Sequence, residues 1–203
     1  MRIGFYGDSF CAYYDYPEYN TWVKLVSEHY KCKCVNTGQL GTSIYDLLFM
    51  QFPKKDYPEI IVFAWSRPER LFDRVVRGLK PQYIGKHIGP ETEIYDAATM
   101  YYKHLYDEEK MFFDWAAAMR HFDQTVLNNV NSKIVHTFSF SKTFNIDKNV
   151  YGYDFIHGKT LDRALMDYAE EADSFGKNAP NHLYGPDINI KVANDVIKLI
   201  DSQ

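Results

Sequence analysis

Between Arg2 and Trp65 the chain alternates short apolar runs with stretches of helical spacing, and this alternation constrains the fold more than any other feature. Arg2 to Tyr6 is an apolar run that ends at Gly7 and reads as a buried first strand. Thr21 to Tyr30 puts Trp22, Leu25, Val26 and His29 or Tyr30 at helical spacing behind a cap at Asn20 or Thr21. Lys31 to Asn36 reads as a second strand, Ser43 to Phe52 as a second helix, and Glu59 to Trp65 as the clearest strand of the chain. Strand–helix–strand–helix–strand with short connections predicts parallel strands with helices on both faces, a three-layer α/β/α fold of flavodoxin-like type with about four or five mostly parallel strands. Sites in such sheets form at the carboxyl ends of the strands. Gly7-Asp8-Ser9, Gly38 to Gly41 and Trp65 to Arg67 therefore converge on one rim.

The remainder is patterned less evenly. Glu69 to Lys80 is expected to continue as helix, and Glu91 to Asn129 as two helices carrying Trp115, Met119 and Phe122. Lys133 to Phe140 reads as a fourth strand, Leu161 to Glu171 as a short helix and Ile188 to Ile200 as a closing amphipathic helix. The length of 203 residues suits one domain spanning 1–203, and an apolar share of 46% is enough for a full core.

Composition excludes several classes. A formal net charge of −4 with no basic stripe gives no footing for nucleic acid. No run approaches the length of a membrane span, and MRIGFYGDSF has no apolar leader segment. The 3 cysteines, Cys11, Cys32 and Cys34, are an odd number and do not suggest a disulfide framework, so the expected setting is the cytoplasm. Cys32 and Cys34 read as structural thiols; the histidines at 29, 87, 104, 121, 136 and 157 do not cluster, and neither a metal nor another cofactor is expected. The 17 tyrosines are consistent with a wet pocket or with simple compositional bias. Nothing in the pattern fixes an oligomeric state.

Two residues carry chemistry in combination. Ser9 follows Gly-Asp where the chain must turn sharply at the end of the first strand, with its hydroxyl at the sheet top and neighbouring amides able to face an oxyanion. Taken alone, such a Ser is an ordinary turn residue. His182, in the loop before the last helix, is placed to return across the sheet top as a general base, or to serve only as a loop or capping histidine. Arg67 offers a planar fork for a carboxylate or other anion. The alternative is that Arg67 and Arg70 are solvated and pair with Glu69 or Asp73. The G-x-S-x-G elbow and the phosphate-binding P-loop are both absent.

Taken together, the opening GDSF with the following Trp22 helix, the N-T-G-Q-L-G of Asn36 to Gly41 after the second strand, and His182 before the closing helix resemble blocks I, II and V of the SGNH (GDSL-like) hydrolases. The resemblance implies an SGNH-type fold and a serine esterase acting on small or carbohydrate-linked acyl esters. It implies Ser9 as nucleophile, His182 as base, and an oxyanion site from the Ser9 and Gly41 amides with Ser66 as side-chain donor. Two departures stand out. Ala64 to Arg70 contains no Asn where the family has Gly-x-Asn-Asp, and Ala179 occupies the place of the acid three residues before His182. Asn178, Asn181 or Asp173 is then expected to orient the imidazole, or a Ser-His dyad works without it. Asp8, Trp65, Arg67 and Tyr13 are expected near the substrate. Two competing readings are a weakened or non-catalytic binding module on the same fold, and a flavodoxin-like anion binder with no use for His182.

Overall fold

The computed structural model describes residues 1–12, 19–74, 77–79, 92–140, 154–174 and 182–203. Five strands form one sheet in which every neighbouring pair is parallel: β1 (Arg2–Gly7), β2 (Lys33–Asn36), β3 (Ile60–Trp65), β6 (Lys133–Phe138) and the short β7 (Lys159–Thr160), in the order β2-β1-β3-β6-β7. This is an α/β sheet of flavodoxin-like order. The chain leaves β1 for one side and then returns to the other, so the crevice between the ends of β1 and β3 is the switch point where ligands of such sheets bind.

Alternation along the strands separates two cores. Ile3, Phe5, Val62, Ala64 and Val135 pack under α1 (Trp22–His29), α5 (Leu165–Glu171) and α6 (Pro186–Asp201). Tyr6, Ile61, Phe63, Trp65 and Phe138 pack on the opposite face against α4 (Glu108–Thr125) and the segment Ile44–Gln51. Burying each such side chain stabilises by roughly 1.5–3 kcal/mol, which makes the hydrophobic runs of β1 and β3 the axis of the molecule. α1 starts at Thr21, whose side chain accepts from the Lys24 amide. No helix among the described residues is long and apolar enough to cross a membrane.

Two local expectations are revised. Glu69 to Lys80 is not helical where described: β4 (Leu71–Asp73) and β5 (Arg77–Leu79) pair antiparallel as a separate hairpin. Strands this short show no period long enough to read. The second helix is only one turn, α2 (Ile44–Asp46), which runs into a π-turn over Leu47–Gln51 closed by the Phe52 amide on the Leu47 carbonyl (2.9 Å). The long stretch resolves as expected into α3 (Thr92–His104) and α4, with Trp115, Met119 and Phe122 buried.

Candidate active site

The site is built on the turn after β1. Gly7 has φ 153°, and a Cβ there would lie 2.2 Å from the Ala64 carbonyl oxygen, so only glycine lets β1 run this close to β3. The Gly7 amide donates to Gln51 Oε1 at 2.8 Å, and Gln51 Nε2 donates to the buried Asp46 Oδ2 at 2.9 Å. The π-turn aims Gln51 at the strand end; such bulges are frequent at functional sites. Sequence reasoning did not single out Gln51, and the register change of a π-turn leaves no mark in the apolar spacing.

Asp8 is wholly buried and shapes the turn. Its Oδ1 accepts from the Phe10 amide (3.1 Å) and from the Ser139 hydroxyl (2.7 Å) at the end of β6. Ser9 follows, and its Oγ lies 2.9 Å from His182 Nε2. Among the described residues neither the Ser9 nor the Gly41 amide donates a hydrogen bond. Gly41 has φ 74°, a left-handed conformation that glycine adopts without steric cost. Its loop is tied to the strand end by the Gln39 amide (3.1 Å) and the Thr42 hydroxyl (3.2 Å), both on the Gly7 carbonyl.

His182 is held from behind. It has φ 63°, an uncommon backbone conformation for a non-glycine residue. Its ring rests against Phe10 with centroids 4.9 Å apart, and Phe10 packs edge-on against Phe140. The Ser174 hydroxyl donates to the His182 carbonyl (3.4 Å). Asn189 on the buried face of α6 donates to the carbonyls of Leu183 (2.9 Å) and Gly185 (2.7 Å) and accepts from the Trp22 amide (2.9 Å). Tyr19 donates to the Leu183 carbonyl as well (3.2 Å). Asn189 was not legible as a site residue in the sequence.

The other expected residues divide. Ser66 leaves β3 two residues past Ala64, as Ser9 leaves β1 two residues past its register partner Gly7; Ser66 is 2% exposed and its Oγ makes no hydrogen bond among the described residues. Arg67 is about one-third exposed, pairs with Glu69 (3.1 Å), and lies over the Phe140 ring at 4.7 Å. A cavity of about 250 Å³ opens beside it, bounded by Glu69, Tyr106, Glu108 and Phe112. Trp65 is a correction: it is wholly buried, its Nε1–H donates to His136 Nδ1 (3.1 Å), and it stacks on Phe63, so it presents no face at the rim. Asp8, also completely buried, holds the turn instead of meeting substrate. Arg70 is not solvated; it is 3% exposed and lies beside Asp8. Asp173 sits in a left-handed turn just after α5 (φ 48°). Tyr13, Asn178 and Asn181 lie outside the described residues.

No family model matches the chain. No curated protein matches it either. Two solved structures are similar. One is a carbohydrate esterase whose active site displays divergent catalytic and non-catalytic binding functions, at 11% identity and a TM-score of 0.49, covering 100% of this chain and 65% of that one. The other is an acetyl xylan esterase from the rumen bacterium Butyrivibrio proteoclasticus, at 11% identity and a TM-score of 0.42, covering 99% of this chain and 63% of that one. The chain spans less than two thirds of the length of each.

Proposed function

We propose that this chain is a serine esterase of SGNH type that hydrolyses small or carbohydrate-linked acyl esters through a Ser9–His182 centre. The observation that carries the reading is the 2.9 Å separation of Ser9 Oγ and His182 Nε2 at the switch point of the sheet. That distance lies within reach for direct proton transfer. A module that only binds has no need of it, and this geometry favours the enzyme over the binding reading.

In the proposed cycle His182 Nε2 takes the Ser9 proton as Oγ attacks the ester carbonyl. The amides of Ser9 and Gly41 receive the oxyanion, with the buried Ser66 hydroxyl as a third donor; each such donor contributes roughly 3–4 kcal/mol to lowering the barrier. Collapse breaks the bond to the alcohol, which leaves with the proton from His182. Water, deprotonated by His182, then attacks the acyl-enzyme; the bond to Ser9 Oγ breaks as His182 returns that proton to Oγ, and the acid leaves.

The imidazole partner at Nδ1 is assigned to the segment before His182, with Asp173, Asn178 and Asn181 as its candidates; without one, Ser9 and His182 act as a dyad. Arg67 and the cavity beside it are the proposed seat of the acyl or sugar portion. Among the described residues Cys11, Cys32 and Cys34 form no disulfide.

The test is covalent. Incubation with a fluorophosphonate followed by peptide mass spectrometry should place the adduct on Ser9 and show much slower labelling in His182→Ala. Labelling elsewhere, or at an unchanged rate in His182→Ala, contradicts the reading.

A further inference from the structure

The stretch after β3 has no amide side chain, but it delivers a cation to the floor of the candidate site. Arg70 Nη1 donates to the Thr42 carbonyl at 2.6 Å and lies 3.8 Å from Asp8 Oδ2. The guanidinium also lies 5.8 Å from the centre of the Phe140 ring. Asp8 in turn holds the Phe10 amide and the Ser139 hydroxyl through its other oxygen. The Thr42 hydroxyl is bound to the Gly7 carbonyl. These residues come from the turns after β1, β3 and β6 and from the loop before α2, and they bracket the two unused amides. Asp8 and Phe10 flank Ser9, and Thr42 follows Gly41.

Burying a guanidinium and a carboxylate is unfavourable unless both are well satisfied, and apolar side chains of like volume often stabilise as much or more. Stability alone therefore gives little reason for this pair. Geometry gives one. The planar fork of arginine, charged at every relevant pH, fixes direction as well as distance, which lysine does not. Here its Nη1 joins the block that carries Gly41 to the block that carries Ser9.

We propose that Arg70 is the positioning residue of the acyl-transfer centre, an inference that rests on the Ser9–His182 reading above. From its seat between Asp8 and the Thr42 carbonyl it fixes the Gly41 peptide relative to Ser9, so that their amides form one preorganised donor pair. Arg70 itself does not touch the substrate. Donors aligned for the developing oxyanion act in the transition state more than in the ground state, so loss of the alignment lowers kcat and leaves KM nearly unchanged.

The experiment measures kcat and KM for p-nitrophenyl acetate with the full chain, Ser9→Ala, Arg70→Ala and Arg70→Lys, with circular dichroism as a check on folding. Arg70→Ala should lose about 100-fold in kcat with KM within about twofold, and non-denaturing guanidinium chloride should restore part of the loss. Arg70→Lys should fall in between, at roughly a tenfold loss. A folded Arg70→Ala with unchanged kcat overturns the proposal, and so does a loss that guanidinium does not relieve. If Arg70→Ala does not fold, Arg70→Lys decides: a wild-type kcat overturns the proposal, and a lowered kcat at constant KM supports it. Equal turnover by wild type and Ser9→Ala overturns the Ser9 reading and this proposal together. Ser9-dependent turnover indifferent to Arg70 removes this proposal alone.

Discussion

The Gly7 amide donates to the side-chain carbonyl of Gln51 at 2.8 Å, which ties the last residue of β1 to a π-turn that begins 40 residues later in the chain. Replacing Gln51 by Leu keeps the volume but strips the partner from a buried amide and a donor from Asp46. Each buried group left unsatisfied costs about 1–3 kcal/mol, so Gln51→Leu should unfold at clearly lower urea, with an m-value like that of wild type.

The two glycines of the site should differ in kind. Gly7→Ala drives a methyl to 2.2 Å from the Ala64 carbonyl oxygen and forces β1 from β3, so little soluble, folded protein is expected. At Gly41 a Cβ would meet nothing within 4 Å among the described residues, and among them only the left-handed φ of 74° opposes it. Gly41→Ala should therefore fold with a loss of about 1–2 kcal/mol, measured by chemical denaturation.

Asn189 supports the His182 loop with two donated bonds and receives the Trp22 amide with its oxygen. Asn189→Asp keeps the acceptor and sets a carboxylate against the Leu183 and Gly185 carbonyls. It should destabilise by at least about 2 kcal/mol in urea titrations and slow the labelling of Ser9 more than Asn189→Ser does.

His136, stacked on Phe155, accepts from the Trp65 indole and hydrogen-bonds the His157 carbonyl through Nε2 (2.8 Å), so it is neutral with its proton on Nε2. Burial pushes its pKa down from 6.5 to about 4. As pH falls below 6.5 the unfolded chain takes up this proton and the folded one does not. The contribution is fully present above that value and lost by about pH 4, to the extent of about 3 kcal/mol. Urea midpoints followed over this range should decline less steeply in His136→Gln than in wild type. Parallel slopes would show that His136 is not the group responsible.

The fold was legible in the sequence because β1 and β3 are uninterrupted apolar runs and α1 and α6 keep helical spacing. These patterns need only local periodicity. Loops after parallel strands share one rim, which grouped Ser9, Gly38 to Gly41 and Trp65 to Arg67 in advance; His182 lies in the loop between two helices, and only the family resemblance paired it with Ser9. Arg70 read equally well as a surface charge, because its partner Asp8 is brought to it only by the pairing of β1 with β3. Gln51 and Asn189 were invisible for a related reason: each holds backbone groups, the Gly7 amide for Gln51 and the Leu183 and Gly185 carbonyls for Asn189, which any sequence supplies. Trp65 was expected near the substrate because it ends β3 at the rim, but alternation turns its indole into the core beside Phe63 and Phe122.

The central claim is that Ser9 is the nucleophile of an esterase, and the most direct measurement is p-nitrophenyl acetate hydrolysis near neutral pH by wild type and Ser9→Ala. The account predicts turnover above background in the wild type, with saturation, that disappears in a Ser9→Ala protein of unchanged fold. Equal rates in the two proteins, or no turnover by wild type on this ester or on acetylated sugars, would contradict it.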